Sequence, residues 1–231
     1  MLDLKNKKGI IFGSTGLIGS SLAIELTKLG TKLILQGKSK KKLIEIDNKL
    51  RKLKKKQILL QMDLCDLSFY KKLLKLVSSR FDSLDFLINV VGKFNNLSPL
   101  THLSHLDWNE LIEINLNSYW RTLKELEPLL QKSSKPRVIF ISNKDISTGK
   151  AYHNIFSVAK AGLLTLAKVY SDENKRLGIE TKLIELDKLN FGMTQKLASI
   201  HSPVNASTEK ITKKIILKCF SDKKNSFKIK I

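Results

Sequence analysis

Three glycines spaced three residues apart, at positions 13, 16 and 19, are the first residues whose types and spacing suggest chemistry. In Gly13-Ser14-Thr15-Gly16-Leu17-Ile18-Gly19 they follow the apolar run Gly9-Ile10-Ile11-Phe12 and lead into an amphipathic stretch. A strand, a glycine turn and a helix in that order make an anion site. Glycine lets the backbone approach a phosphate, and the helix start offers it unsatisfied N–H groups. In that context all seven residues are candidates to hold a dinucleotide pyrophosphate. A second position of chemical interest follows the next apolar run, residues 32–36. An acidic side chain there would bond adenosine ribose hydroxyls, and a basic one would accept a 2′-phosphate. Gln36-Gly37-Lys38-Ser39 carries no carboxylate. Lys38 is therefore the candidate phosphate partner, and charge complementarity favours NADP(H) over NAD(H).

The elements that must position these residues alternate along the chain. Apolar runs at 9–12, 32–36, 58–62, 85–91, 137–141 and 179–186 read as strands, with a short terminal strand at 227–231. Between them lie helical patterns at 17–29, from Ser39 through Leu53, and from Ser68 to Val77. A long helix is expected at 106–131, kinked near Pro128, with further helices at 152–177 and 208–219. In the second helix Leu43, Ile46, Leu50 and Leu53 recur at helical spacing, with Ser39 as the cap. Such alternation predicts a single domain over 1–231: a doubly wound parallel sheet, Rossmann-like, in three αβα layers. Ligands then belong at the carboxyl ends of the strands, where the strand order reverses.

Composition narrows the functional classes. A chain of 231 residues with 42% hydrophobic content can bury one sizeable core, and it has no apolar run long enough to span a membrane. The N-terminus lacks the apolar stretch of a secretory signal. Cys65 and Cys219 are far apart and make no metal spacing, so no metal is expected. A cytoplasmic, reduced location is the expectation. The net charge of +21 would suit a nucleic acid or another polyanion, yet only five of the 42 basic residues are Arg. Lys is scattered along the chain and densest over 38–56. A solvated helix face accounts for this patch better than a dedicated polyanion site, which Arg would serve better. A nucleic-acid partner is not expected.

Four further segments, in order, make the chain resemble the single-domain short-chain dehydrogenase/reductase family from about Gly9 to Cys219. Asp63 in Met62-Asp63-Leu64 matches the family's aspartate beside the adenine. Asn89-Val90-Val91-Gly92 matches its Asn-Asn-Ala-Gly segment. Trp108 through Asn115 matches the helix segment carrying its active-site asparagine. Phe156-Ser157-Val158-Ala159-Lys160-Ala161-Gly162 matches its Tyr-x-x-x-Lys segment. The resemblance implies a nicotinamide-dependent oxidoreductase acting on carbonyls or alcohols. In such an enzyme Lys160 binds the nicotinamide ribose, Asn115 holds a water in a proton relay, and Asp63 and Asn89 border the cofactor.

The departures from that pattern bear on catalysis. The tyrosine position is Phe156, which has no hydroxyl to give a proton. The serine position is Asn143, whose amide can still polarise a carbonyl. The Pro-Gly expected after the sixth strand reads Leu186-Asp187, and the threonine beyond it reads Phe191, with Thr194 close by. The glycines are spaced as in the family's extended members. Loss of a positioned acid costs about 10²–10⁴-fold in rate, so impaired carbonyl chemistry is expected. Tyr152, one helical turn before Phe156, and His153 are the nearest candidate stand-ins. Two alternatives stay open. One is a catalytically silent nucleotide-binding or scaffold subunit, and the other is a polyanion-binding protein using the Lys-rich face. The resemblance also implies a homo-oligomer, with the two long helices packed between subunits through Leu116, Tyr119, Leu123, Ile155, Leu163 and Leu166. The small-molecule substrate is not legible.

Overall fold

The computed structural model describes residues 2–144, 147–186, 208–221 and 226–231. Seven parallel strands form one sheet in the order β3-β2-β1-β4-β5-β6-β7. They are β1 (Lys8–Phe12), β2 (Lys32–Gly37), β3 (Ile58–Gln61), β4 (Phe86–Asn89), β5 (Arg137–Asn143), β6 (Glu180–Leu186) and β7 (Lys228–Lys230). Successive side chains alternate between the faces. In β1, Ile10 and Phe12 join one core while Ile11 joins the other. Against the Ile11 face pack α1 (Leu17–Lys28), α2 (Lys40–Lys52) and α7 (Thr208–Phe220). Against the other pack α3 (Leu67–Ser78), α5 (Ser118–Leu130) and α6 (Asn154–Glu173). This is the expected three-layer arrangement. None of the described helices is long and apolar enough to cross a membrane.

Three expectations about elements need correction. The third helix starts at Leu67 rather than Ser68, because Asp66 caps it, its carboxylate accepting from Ser68 N at 2.9 Å. A carboxylate two residues upstream is a sufficient cap, so the helix begins earlier. The fourth strand ends at Asn89 rather than Val91, because Asn89 Oδ1 turns back to accept from Val91 N at 3.1 Å. The long helix is not one element kinked at Pro128. It runs as α4 (His105–Ile112), a π-helical segment (Glu113–Asn117) and α5. Pro128 sits in the last turn of α5 without ending it. The break falls at Asn115, whose buried amide is drawn onto a neighbouring loop, as described below.

The reversal of strand order falls between β1 and β4, which both pair with neighbours on opposite sides. Phe12 lies in register with Asn89, and Val90 N donates to Phe12 O at 3.1 Å. The carboxyl ends of these two strands therefore meet at the crevice where the fold directs a ligand.

Candidate active site

The phosphate loop leaves β1 at Gly13, which takes φ +80°, a left-handed conformation suited to glycine. Gln36, a polar residue buried in β2, holds the loop down. Its Oε1 accepts from Gly13 N at 2.9 Å, and its Nε2 donates to Met62 O at 2.7 Å. Ser14 completes the attachment, with both N and Oγ donating to Gln36 O. Gly19 packs α1 onto the loop, since a Cβ there would lie 2.2 Å from Gly13 O. Gly16 differs. A Cβ on it would meet Gly13 O only at 3.5 Å, an ordinary contact, so the protein's own packing does not demand this glycine. Gly16 is also the N-cap of α1 and supplies no side-chain cap, and the first turn carries no acidic residue. The opening N–H groups of the helix, from Leu17, Ile18 and Gly19, are thus left for an anionic ligand. The arrangement fits a dinucleotide pyrophosphate. Thr15 closes the loop against β2, where a Cβ on Gly37 would lie 2.4 Å from its Cγ2.

Beside the loop, Lys38 follows β2 and Asp63 follows β3. Lys38 Nζ lies 2.8 Å from Asp63 Oδ2, so the two expected adenosine-side residues meet as an ion pair. Burial pushes the Asp63 carboxyl up, but hydrogen bonds from Lys38 and from Cys65 N, together with the Lys38 charge, bring it net below its usual range. Lys38 is raised, chiefly by its hydrogen bond to Asp63. Asn89 closes β4 at the crevice, in register with Phe12. Its amide bonds Val91 N and Thr122 Oγ1, which places it in the support of the β4 turn.

On the nicotinamide side, α6 brings Lys160 and Phe156 together. Lys160 is 2% exposed, and its Nζ lies 5.5 Å from the Tyr119 ring centroid and 5.4 Å from that of Phe156. Removal from water lowers its pKa to about 8. Tyr119 is itself fixed, with its hydroxyl donating to Val91 O and its ring edge-on to Phe140. Phe156 is fully buried, with Phe94 edge-on at 5.4 Å and Leu97 packed alongside. Where the family pattern has a tyrosine hydroxyl, this chain has an aromatic pair.

Asn115 is brought to the same region, and its side chain makes three hydrogen bonds there. Oδ1 accepts from Lys93 N at 2.9 Å, and Nδ2 donates to Lys93 O at 2.8 Å and Leu111 O at 2.9 Å. Asn115 thus fixes the loop after β4 to the π-helical break, a break often found at functional sites. Asn143 ends β5, half-buried and in register with Leu186 of β6, and beside it Ser142 is buried. The two candidate stand-ins sit just before α6. Tyr152 is 63% exposed with φ +64°. His153 is buried, with Nδ1 bonded to Ala151 O and its ring beside Phe94. Together with Asn154, at φ +41°, they clamp the 94–98 loop over the start of α6. Ser98 N donates to Tyr152 O, and Asn154 Nδ2 donates to Asn96 O and to Ser98 Oγ. Asp187, Phe191 and Thr194 lie outside the described residues. Among the described residues no cluster of His, Cys, Asp and Glu could hold a metal ion.

Sequence reasoning missed Gln36, Phe94 and Lys93. A polar side chain in the middle of an apolar strand was the available signal for Gln36. A phenylalanine in a polar loop was the signal for Phe94. Nothing in the spacing marked Lys93, whose role here is through its backbone.

Fold and site together define a nucleotide-binding α/β protein with a buried lysine at its centre. The family described as short chain dehydrogenase matches residues 7–200, and the chain belongs to that family of oxidoreductases. It is 28% identical over 197 residues to the 3-oxoacyl-[acyl-carrier-protein] reductase of Rickettsia typhi, covering 85% of this chain and 78% of that protein. It is 23% identical over 195 residues to an uncharacterized oxidoreductase of Staphylococcus epidermidis, covering 84% and 83%. Among solved structures, a short chain dehydrogenase from Shigella flexneri 2a complexed with NADP superposes with a TM-score of 0.90 at 19% identity, over 100% of this chain and 98% of that one. One from Escherichia coli CFT073 complexed with NADPH superposes with a TM-score of 0.89 at 20% identity, over 99% and 98%.

Proposed function

We propose that this protein binds NADP(H) in preference to NAD(H) and carries out carbonyl–alcohol chemistry with impaired proton delivery. The observation that carries the reading is the pair on α6: Lys160 kept in place, with the buried ring of Phe156 where the proton donor would stand. The uncapped, glycine-lined start of α1 takes the pyrophosphate. Lys38 takes the 2′-phosphate, and Asp63 borders the adenine. Two similar structures carrying NADP and NADPH support the choice of cofactor. When bound, the nicotinamide supplies or accepts the hydride.

Lys160 donates hydrogen bonds to the ribose hydroxyls, and Asn143 polarises the substrate carbonyl through its amide. Asn115 acts as a positioning residue through the Lys93 backbone. Phe94 and Phe156 exclude water without providing a proton. A homo-oligomer is part of the reading. Tyr119, Leu123, Ile155 and Leu163 are core residues, and Leu116 and Leu166 are half-buried. The face offered to a second copy is therefore formed by Trp120, Val158 and Val169, which are exposed on α5 and α6.

The test is NADPH consumption with a panel of aldehydes, ketones and 3-oxoacyl thioesters, comparing the wild type with Phe156→Tyr. The variant should exceed the wild type by about 10²–10⁴-fold on any accepted substrate. A wild type turning over at about 10 s⁻¹, the ordinary range for enzymes, with no gain from tyrosine, would refute the impairment.

A further inference from the structure

We propose that Asp63 is a specificity-determining residue. Its carboxylate competes with a nucleotide 2′-phosphate for Lys38, and so sets how strongly the site favours the phosphorylated cofactor. The inference rests on the nucleotide reading above and concerns only its adenosine end.

The geometry gives the two partners unequal freedom. Asp63 is anchored, with Oδ1 accepting from Cys65 N at 3.0 Å while Oδ2 faces Lys38 Nζ at 2.8 Å. The Lys38 side chain is 69% exposed, against 34% for Asp63, so the lysine can turn toward a ligand while the carboxylate stays. Lys93, the other cation facing Asp63, is paired with Glu110. Asp63 therefore depends on Lys38 for its charge partner, and Lys38 reaches a phosphate only by sharing or leaving that pair. A doubly charged phosphate outbids one carboxylate, but its gain is reduced by what the pair already held. An unphosphorylated ribose makes no such demand and leaves the pair intact. Asp63 thus lowers affinity for one class of nucleotide and spares the other. Asn in its place keeps the acceptor for Cys65 N and removes only the charge.

The experiment uses the whole protein and two probes that differ by one phosphate, 2′,5′-ADP and 5′-AMP, with affinities measured by calorimetry at fixed salt. NADPH serves as the control for the cofactor site. Asp63→Asn should raise the preference for 2′,5′-ADP over 5′-AMP by about 1.5- to 5-fold, the scale of an exposed ion pair. Lys38→Met should bring the preference close to one, and adding Asp63→Asn to Lys38→Met should then change nothing. Any loss of an adenine contact in Asp63→Asn falls on both probes alike and cancels in the ratio. A ratio unmoved or lowered by Asp63→Asn, or raised as much without Lys38 as with it, overturns the proposal while NADPH binding stands. Failure of the wild type to bind NADPH and both probes overturns the nucleotide reading itself, and this inference with it.

Discussion

Replacing Lys160 with Met should make the protein more stable near neutral pH while weakening its hold on the cofactor. Lys160 is fully buried, and desolvation lowers its pKa from 10.5 to about 8. In the unfolded chain it regains its ordinary value. Between the two values the unfolded state binds more protons than the folded one, so stability rises with pH across that window. Below pH 8 the lysine must be buried charged. At about 1.4 kcal/mol per pH unit, the gap corresponds to about 3 kcal/mol of forfeited stability. Met conserves the volume and carries no charge. The net gain for Lys160→Met at pH 7 is then about 3 kcal/mol, or about 6–12 °C in Tm for a chain of this size. Thermal and urea unfolding of both proteins at pH 7, 9 and 10.5 would measure it. The difference between them cancels every other titrating group. It should shrink from pH 8 upward as the wild-type amine becomes neutral in both states. A variant less stable than the wild type at pH 7, or a difference indifferent to pH, would refute the reasoning.

Other predictions follow from the loop and the helix break. Gly19→Ala drives a methyl into Gly13 O and should cost about 1–3 kcal/mol of stability along with nucleotide binding, read by urea unfolding and calorimetry. Gly16→Ala meets only an ordinary contact, so the fold should keep its stability while NADPH affinity falls, because the methyl stands where the pyrophosphate approaches. Asn115→Leu leaves the half-buried N–H and C=O of Lys93 without their partner and should destabilise by about 1–3 kcal/mol, with the 93–98 loop exchanging its amides faster in hydrogen exchange. Light scattering on the wild type should show a dimer or larger, and Trp120→Lys should shift it toward monomer.

The three layers and the parallel sheet were legible because they rest on periodicity and on short-range punctuation. Ile10 and Ile11 in adjacent positions of a buried strand, and Leu43, Ile46 and Leu50 down one helix face, fix which side each element buries. The phosphate loop was legible for the same reason: its glycines sit between a strand and a helix. What escaped was set by contacts between distant segments. The π-helical break at 113–117 exists because Asn115 reaches Lys93, 22 residues away, and no helical pattern encodes that pull. Lys38 and Asp63 were each marked as nucleotide residues, but only the register of β2 on β3 brings them to 2.8 Å. Asn89 was marked as a cofactor residue, yet its side chain serves the turn that ends β4. Lys160 could be located on its helix, whereas its burial between two rings depends on α5 and the π segment packing across α6.

The most direct test of the central claim is a calorimetric titration of the purified protein with NADPH at low and high salt, with NADH alongside. A chain of net charge +21 attracts any polyanion at low salt, and high salt screens that attraction. The account predicts saturable binding at one site that survives high salt and is tighter for NADPH than for NADH. Absence of salt-resistant binding by either nucleotide would contradict it, and would leave a protein that has kept the fold and lost the cofactor.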